Sequence, residues 1–130
     1  LSTISMNLKI VVLDTNFLLV PMLYKVDVFK EIETLMEEPY ELCIMDKTVD
    51  ELEKIEETGK TSDKEAAKLA LQLIKQKDLK RLPCPNSVDE GILNGPVDYA
   101  ATQDRELKRK LKAKGVKIIT LRQKKYLRTE

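Results

Sequence analysis

The chain has 130 residues, 42% of them apolar and 35% charged, with a net charge of +1. One domain of this size buries roughly two-thirds of the surface its unfolded chain exposes, so disulfides and structural metals are not needed; the apolar share excludes a disordered chain, and no apolar run nears the roughly 20 residues of a membrane helix. With no histidine, Ser-His-Asp and Cys-His catalysis and His-ligated zinc are excluded, and with no tryptophan and 5% aromatics, base stacking is not the main mode of any nucleic-acid binding.

Residues 1–5 read as a disordered start or an expression remnant before Met6, with neither the basic start nor the apolar core of a secretory leader, and residues 6–130 read as one domain. Residues 8–13 (LKIVVL) form a β-branched apolar run, the pattern of a strand buried on both faces, ended by Asp14-Thr15-Asn16. The apolar run 17–24 is broken by Pro21. Residues 27–37 place Val28, Ile32, Leu35 and Met36 at helical spacing, before Pro39. Residues 40–45 (YELCIM) predict a second strand. Thr48-Val49-Asp50-Glu51 has capping-box spacing for a helix that stops at Gly59, and Ser62–Glu65 repeats that spacing ahead of an Ala- and Leu-rich helix to Lys77. Residues 79–84 predict a third strand. Ser87–Glu90 is a third box, opening a short helix cut by Gly95-Pro96. Residues 99–102 predict a brief strand, Asp104 caps a helix over 105–114 with Gly115 as its C′ residue, and residues 116–121 (VKIITL) predict the last strand. Residues 122–130 read as a basic tail. The alternation implies an α/β fold: a central parallel sheet of about five strands with helices on both faces.

The small net charge hides an asymmetry. Residues 1–104 carry 12 basic and 20 acidic side chains, a net of −8, whereas residues 105–130 carry 11 basic and 2 acidic, a net of +9. The basic segment reads as a phosphate-binding surface or a solvated helix face. Cys43 and Cys84 form no CxxC pair and read as buried reduced thiols, which fits a cytoplasmic setting.

Sites in open α/β sheets form beyond the carboxyl ends of the strands. Asp14 follows the first strand and Asp104 the fourth. Glu51 lies early in the helix after the second strand, and Asp89 opens the helix after the third. Each has a local explanation as a cap or as a charge at a helix N-terminus. Together, four carboxylates in one pocket would repel one another, which makes sense if they bind a cation. With hard oxygen donors only, that cation is Mg²⁺ or Mn²⁺, which can activate water and neutralise a phosphodiester.

VVLDTNFLL, VDELEK, SVDEGIL and AATQDRELKRKLKAKGVKIITLRQKKYL, taken in order, resemble a PIN domain over nearly the whole chain from about Leu8. The likeness is to archaeal PIN proteins related to the small-subunit ribosomal RNA-processing endonuclease, and the LRQKKYL ending adds to it. The resemblance implies a Mg²⁺- or Mn²⁺-dependent single-strand endoribonuclease. It makes Asp14, Glu51, Asp89 and Asp104 the catalytic and metal-binding acids, and Asn16 and Thr102 site-orienting residues. In the basic segment, Arg105, Lys108, Arg109, Lys124 and Lys125 are the expected RNA contacts, and Lys110 and Lys112 join the binding residues in the non-catalytic reading below. Three departures from the family pattern stand out: the short, interrupted stretch between Asp89 and Asp104, Gly91 in place of alanine, and Gln103 in place of asparagine. The first leaves Glu90 and Asp98 as alternatives to Asp89.

RNA is the expected partner, with ribosomal precursor as one candidate, and a homodimer is one expected assembly. Two other readings compete: a non-catalytic RNA-binding or ribosome-assembly module, and the toxin of a toxin–antitoxin pair with a protein partner. A phosphorylated-aspartate receiver fares worse, because no second acid follows Asp14 two residues on. A P-loop enzyme is disfavoured by the lack of a Gly-rich phosphate loop.

Overall fold

A computed structural model describes residues 8–130; the expected remnant at 1–5, and Met6 with it, lie outside the described residues. Six strands form one sheet: β1 (Lys9–Leu13), β2 (Tyr40–Met45), β3 (Lys80–Leu82), β4 (Tyr99–Ala101), β5 (Lys117–Arg122) and β6 (Tyr126–Thr129). Their order is β3-β2-β1-β4-β5-β6. The first five are parallel, and β6 runs antiparallel to β5. Among the described residues, six α-helices surround the sheet: α1 (Val20–Tyr24), α2 (Val28–Leu35), α3 (Asp46–Thr58), α4 (Thr61–Gln76), α5 (Val88–Asn94) and α6 (Arg105–Ala113).

Strand alternation divides the core in two. Val11, Leu13, Ile44, Ala101 and Ile119 face a large cluster with α1 to α4, whereas Val12, Cys43, Met45, Ala100 and Ile118 face a smaller one with α5 and α6. Helices on both faces are therefore as expected, and β1 is buried on both sides because it lies mid-sheet. The chain builds outward from β1 through β2 to β3, then crosses to β4 on the other side. The switch point, where ligands bind in such sheets, therefore lies beyond the ends of β1 and β4.

Several expectations need correction. The sheet has six strands, not five, because the basic tail is not a tail. Its residues Gln123 and Lys124 take left-handed φ values of 53° and 55°, turning the chain back as β6. Leu127 of β6 is buried, and its amide donates to Glu31 Oε1 of α2 at 3.0 Å. The run 17–24 is a 3-10 turn (Asn16–Leu19) leading into α1, where Pro21 sits in the first turn and its missing N–H costs nothing. The Thr48 capping box does not form: α3 begins two residues earlier, at Asp46, and Thr48 is buried. The Ser62 box does not form either, since α4 begins at Thr61. The third box holds in its Ser87 half, whose side chain accepts the Glu90 amide. Gly115 follows α6 with φ +84°, as its C′ role requires.

Candidate active site

Asp14 is the first residue beyond β1, and its amide donates to Ala101 O at 3.0 Å across the switch point. The residue is 6% exposed. Oδ1 accepts the Thr15 amide at 2.8 Å, and Oδ2 accepts the Thr102 hydroxyl at 2.8 Å. Burial pushes its pKa up from 3.8 to about 6; the Thr102 hydrogen bond opposes this, and the charges of Asp89 and Glu51 add to it. Two further acids thus share the field of the buried one, as the sequence spacing suggests.

Thr102, immediately after β4, links Asp14 to Asp104. Its Oγ1 also accepts the Asp104 amide at 3.1 Å. Asp104 in turn caps α6, with Oδ1 accepting the Leu107 amide at 3.0 Å. One Asp104 oxygen is thus engaged as the helix cap, and the other is left for a site role. Asp89, in the first turn of α5, lines a hollow of about 250 Å³ with Asp104, Glu90 and Lys110. Its pKa is raised, by partial burial first and by the Asp104 charge second. Asp98 is ruled out as a member of this group: it accepts the Ile10 amide at 2.8 Å, near the opposite end of β1. Of the two alternatives that remain, Asp89 is the one whose charge acts on Asp14.

Glu51 approaches from α3 on the other side. Thr15 Oγ1 donates to Glu51 Oε1 at 2.5 Å and lies 3.0 Å from Thr48 Oγ1. Thr15, backed by Thr48, thus holds Glu51, while Asn16 is exposed beside Glu51 in a hollow of about 540 Å³. Neither threonine figured among the expected site residues. Their signal is a hydroxyl beside each acid, Thr15 after Asp14 and Thr48 one turn before Glu51.

The donor chemistry suits a hard divalent cation: the acids and the hydroxyls among them offer oxygen donors, and a cation would relieve the like-charge field on buried Asp14. Among the described residues, no three such side chains stand close enough together to hold one ion as they are placed. Asp14, Glu51, Asp89 and Asp104 match the cation in the kind of donor they offer, not in their placement.

Beside the acids lies a groove of about 580 Å³ lined by Arg105, Lys108, Arg109, Lys112 and Arg122. The four α6 cations recur at i, i+3, i+4 and i+7, so they share one helix face, while Leu107 and Leu111 face the core. Lys124 and Lys125 do not line this groove. They sit in the β5–β6 turn, where Lys124 Nζ lies 5.6 Å from the Tyr24 ring centroid.

Gln103 ties groove to acids. It stands between Thr102 and Asp104, and its Oε1 accepts both the Thr120 hydroxyl at 2.6 Å and the Leu121 amide at 2.7 Å. Thr120 in turn accepts Lys108 Nζ at 2.8 Å. An asparagine side chain, one methylene shorter, would not make both contacts from the same backbone position.

The family described as PIN like domain matches residues 11–124. The chain belongs to that family. It is 34% identical over 121 residues to Ribonuclease VapC4 of Methanocaldococcus jannaschii, covering 89% of this chain and 92% of the relative. Its fold is similar to that of the PIN domain endonuclease Utp24, with a TM-score of 0.73 at 27% identity, over 93% of this chain and 90% of the other. The PIN-like fold follows from the family match and the structural likeness; the family match ends at residue 124, just before β6. The family pattern's alanine at position 91 is excluded here by packing: a Cβ on Gly91 would lie 2.5 Å from Cys84 Cβ and 2.8 Å from Met45 Sδ. The close approach of α5 to Cys84 and to Met45 of β2 fixes where α5, and with it Asp89, lies.

Proposed function

We propose that this PIN-domain chain is a Mg²⁺- or Mn²⁺-dependent endoribonuclease that hydrolyses RNA phosphodiesters in the cytoplasm. The observation that carries this is the buried Asp14 at the switch point, in the field of Asp89 and Glu51 and one short loop away from a cation-lined groove. The two relatives, named as a ribonuclease and an endonuclease, support it. Asp14, Glu51, Asp89 and Asp104 would hold the cation, which when bound supplies Lewis acidity to the phosphate and to the attacking water. Thr15, Thr48 and Thr102 position those carboxylates. Arg105, Lys108 and Arg109 bind the phosphate backbone of the strand and orient it towards the acids, with Lys124 and Lys125 as more distant contacts. Ribosomal precursor RNA is the candidate substrate, on the resemblance of the LRQKKYL ending; a homodimer is the proposed assembly.

The test is a calorimetric titration of Mn²⁺ into metal-free protein, paired with cleavage of an end-labelled single-stranded RNA. Wild type binds the metal and cuts. Asp14→Asn with Asp104→Asn does neither while keeping its fold. Metal-independent cutting, or cutting by the double variant, would overturn the assignment, and strong salt-dependent RNA binding without turnover would favour the non-catalytic module.

A further inference from the structure

Glu130 sits inside the cation-lined groove. Its Oε1 accepts Lys112 Nζ at 2.9 Å, and its Oε2 accepts Arg122 at 3.1 Å and lies 3.7 Å from Lys108 Nζ. The carboxylate side chain is only 17% exposed and Lys108 only 16%, so this is not a loose surface pair. The backbone holds Glu130 there: its amide donates to Ile118 O at 2.7 Å, continuing the β5–β6 ladder. Three cations converging on one carboxylate, with Lys108 fixed from behind by Thr120, form a pocket for a tetrahedral or planar oxyanion. Within the basic segment 105–130, Glu130 and Glu106 are the two acids, and Glu106 pairs instead with Arg109 on the exposed side of α6.

We infer that Lys108, Lys112 and Arg122 form a phosphate subsite for a single-stranded RNA, occupied in the free protein by the Glu130 carboxylate, which the RNA phosphate displaces. This rests on the endoribonuclease reading for the identity of the strand, and the subsite itself stands on the geometry of the groove. Glu130 acts as a built-in competitor: it keeps the three cations together when no RNA is bound and lowers affinity for non-specific polyanions. Displacement is feasible because the pocket opens to solvent and a phosphate offers the same oxyanion contacts as the carboxylate it replaces.

The experiment is fluorescence anisotropy with a labelled 12-nucleotide single-stranded RNA in EDTA, where no cleavage occurs. Glu130→Gln tightens binding about fivefold at low salt, the size expected when a competing ion pair is removed. Glu33→Gln, an equal charge change on the exposed face of α2, leaves affinity within a factor of about 1.5. The gain from Glu130→Gln vanishes in a Lys108→Gln, Lys112→Gln background; a gain that persists there is a long-range charge effect and overturns the subsite. Unchanged or weaker binding by Glu130→Gln overturns it too. If that variant fails to fold, ¹⁵N spectra of wild type titrated with the same RNA decide: saturable shifts at Ile118, Thr120 and Glu130 support displacement, and their absence overturns it. Cleavage by wild type with Mn²⁺ is scored separately, so a correct nuclease with a failed subsite, or a correct subsite in a protein that never cuts, is told apart.

Discussion

Thr102 Oγ1 donates to Asp14 Oδ2 across 2.8 Å in a buried setting and itself accepts the Asp104 amide. One side chain thus sets the orientation of the first acid and the path of the loop that carries the fourth. Thr102→Val keeps the shape and removes the hydroxyl. It leaves a buried carboxylate oxygen and a backbone amide without their partner, costing about 1–3 kcal/mol. Lost support around the carboxylate proposed to hold the cation should weaken Mn²⁺ affinity roughly 10- to 100-fold. Urea unfolding and Mn²⁺ calorimetry on the same variant check both, and an unchanged metal affinity would show that Thr102 is only structural.

Asp14 should make the metal-free protein less stable as pH rises. Its folded pKa of about 6 lies above its ordinary 3.8, so the folded state holds the proton more tightly and the contribution of this group falls as pH climbs between those values. Above that window the buried charge costs about 3 kcal/mol. Asp14→Asn removes the charge. We expect it to stabilise the metal-free protein by up to about 3 kcal/mol at pH 7.5 and by little at pH 3.5, while abolishing RNA cleavage. Denaturant unfolding in EDTA at the two pH values measures this; equal effects at both would show that the carboxylate is not ionised in a buried state.

Metal removal should mirror that result. Mn²⁺ at about 100 times its dissociation constant should stabilise wild type by about 2.7 kcal/mol, and EDTA should reverse it. Because protons compete for Asp14, metal affinity should fall below about pH 6, by roughly tenfold per unit. A thermal-shift series from pH 5 to pH 8 reads this out. A metal-induced shift that survives Asp14→Asn would place the ion elsewhere.

Gly91→Ala tests the packing that seats Asp89. The added methyl meets Cys84 Cβ and Met45 Sδ well inside contact distance, so α5 must move. We expect a loss of about 1–3 kcal/mol from overpacking, together with weakened Mn²⁺ binding because Asp89 moves with the helix. Met45→Ala combined with Gly91→Ala should recover part of the metal affinity. A neutral Gly91→Ala would mean that α5 slides freely.

Glu31 holds β6 to α2 through the Leu127 amide. Glu31→Ala should raise hydrogen exchange at Leu127 at least tenfold while leaving β1 and β4 protected, since an edge strand opens by local unfolding. Equal acceleration in both regions would mean that β6 unfolds only with the whole domain.

Local pattern alone was enough for the alternating α/β order, the buried first strand and the caps at Ser87, Asp104 and Gly115, because each depends on neighbours within a few residues. It also marked Asp14, Glu51, Asp89 and Asp104, since positions after strands and at helix starts are readable along the chain. What it could not decide was pairing across the fold. Thr48 reads as a cap, yet it is buried against Thr15, 33 residues away. Residues 122–130 read as a basic tail because nothing nearby marks Gln123 and Lys124 for left-handed turns; the exposed edge of β5 and the Glu31 acceptor make them a hairpin. Glu130 falls in the stretch that reads as a basic tail, and only the turn of β6 carries it into the grip of Lys108, Lys112 and Arg122. Helices and strands follow from short-range periodicity, whereas hydrogen-bond and charge partners depend on which distant segments the packed sheet brings together.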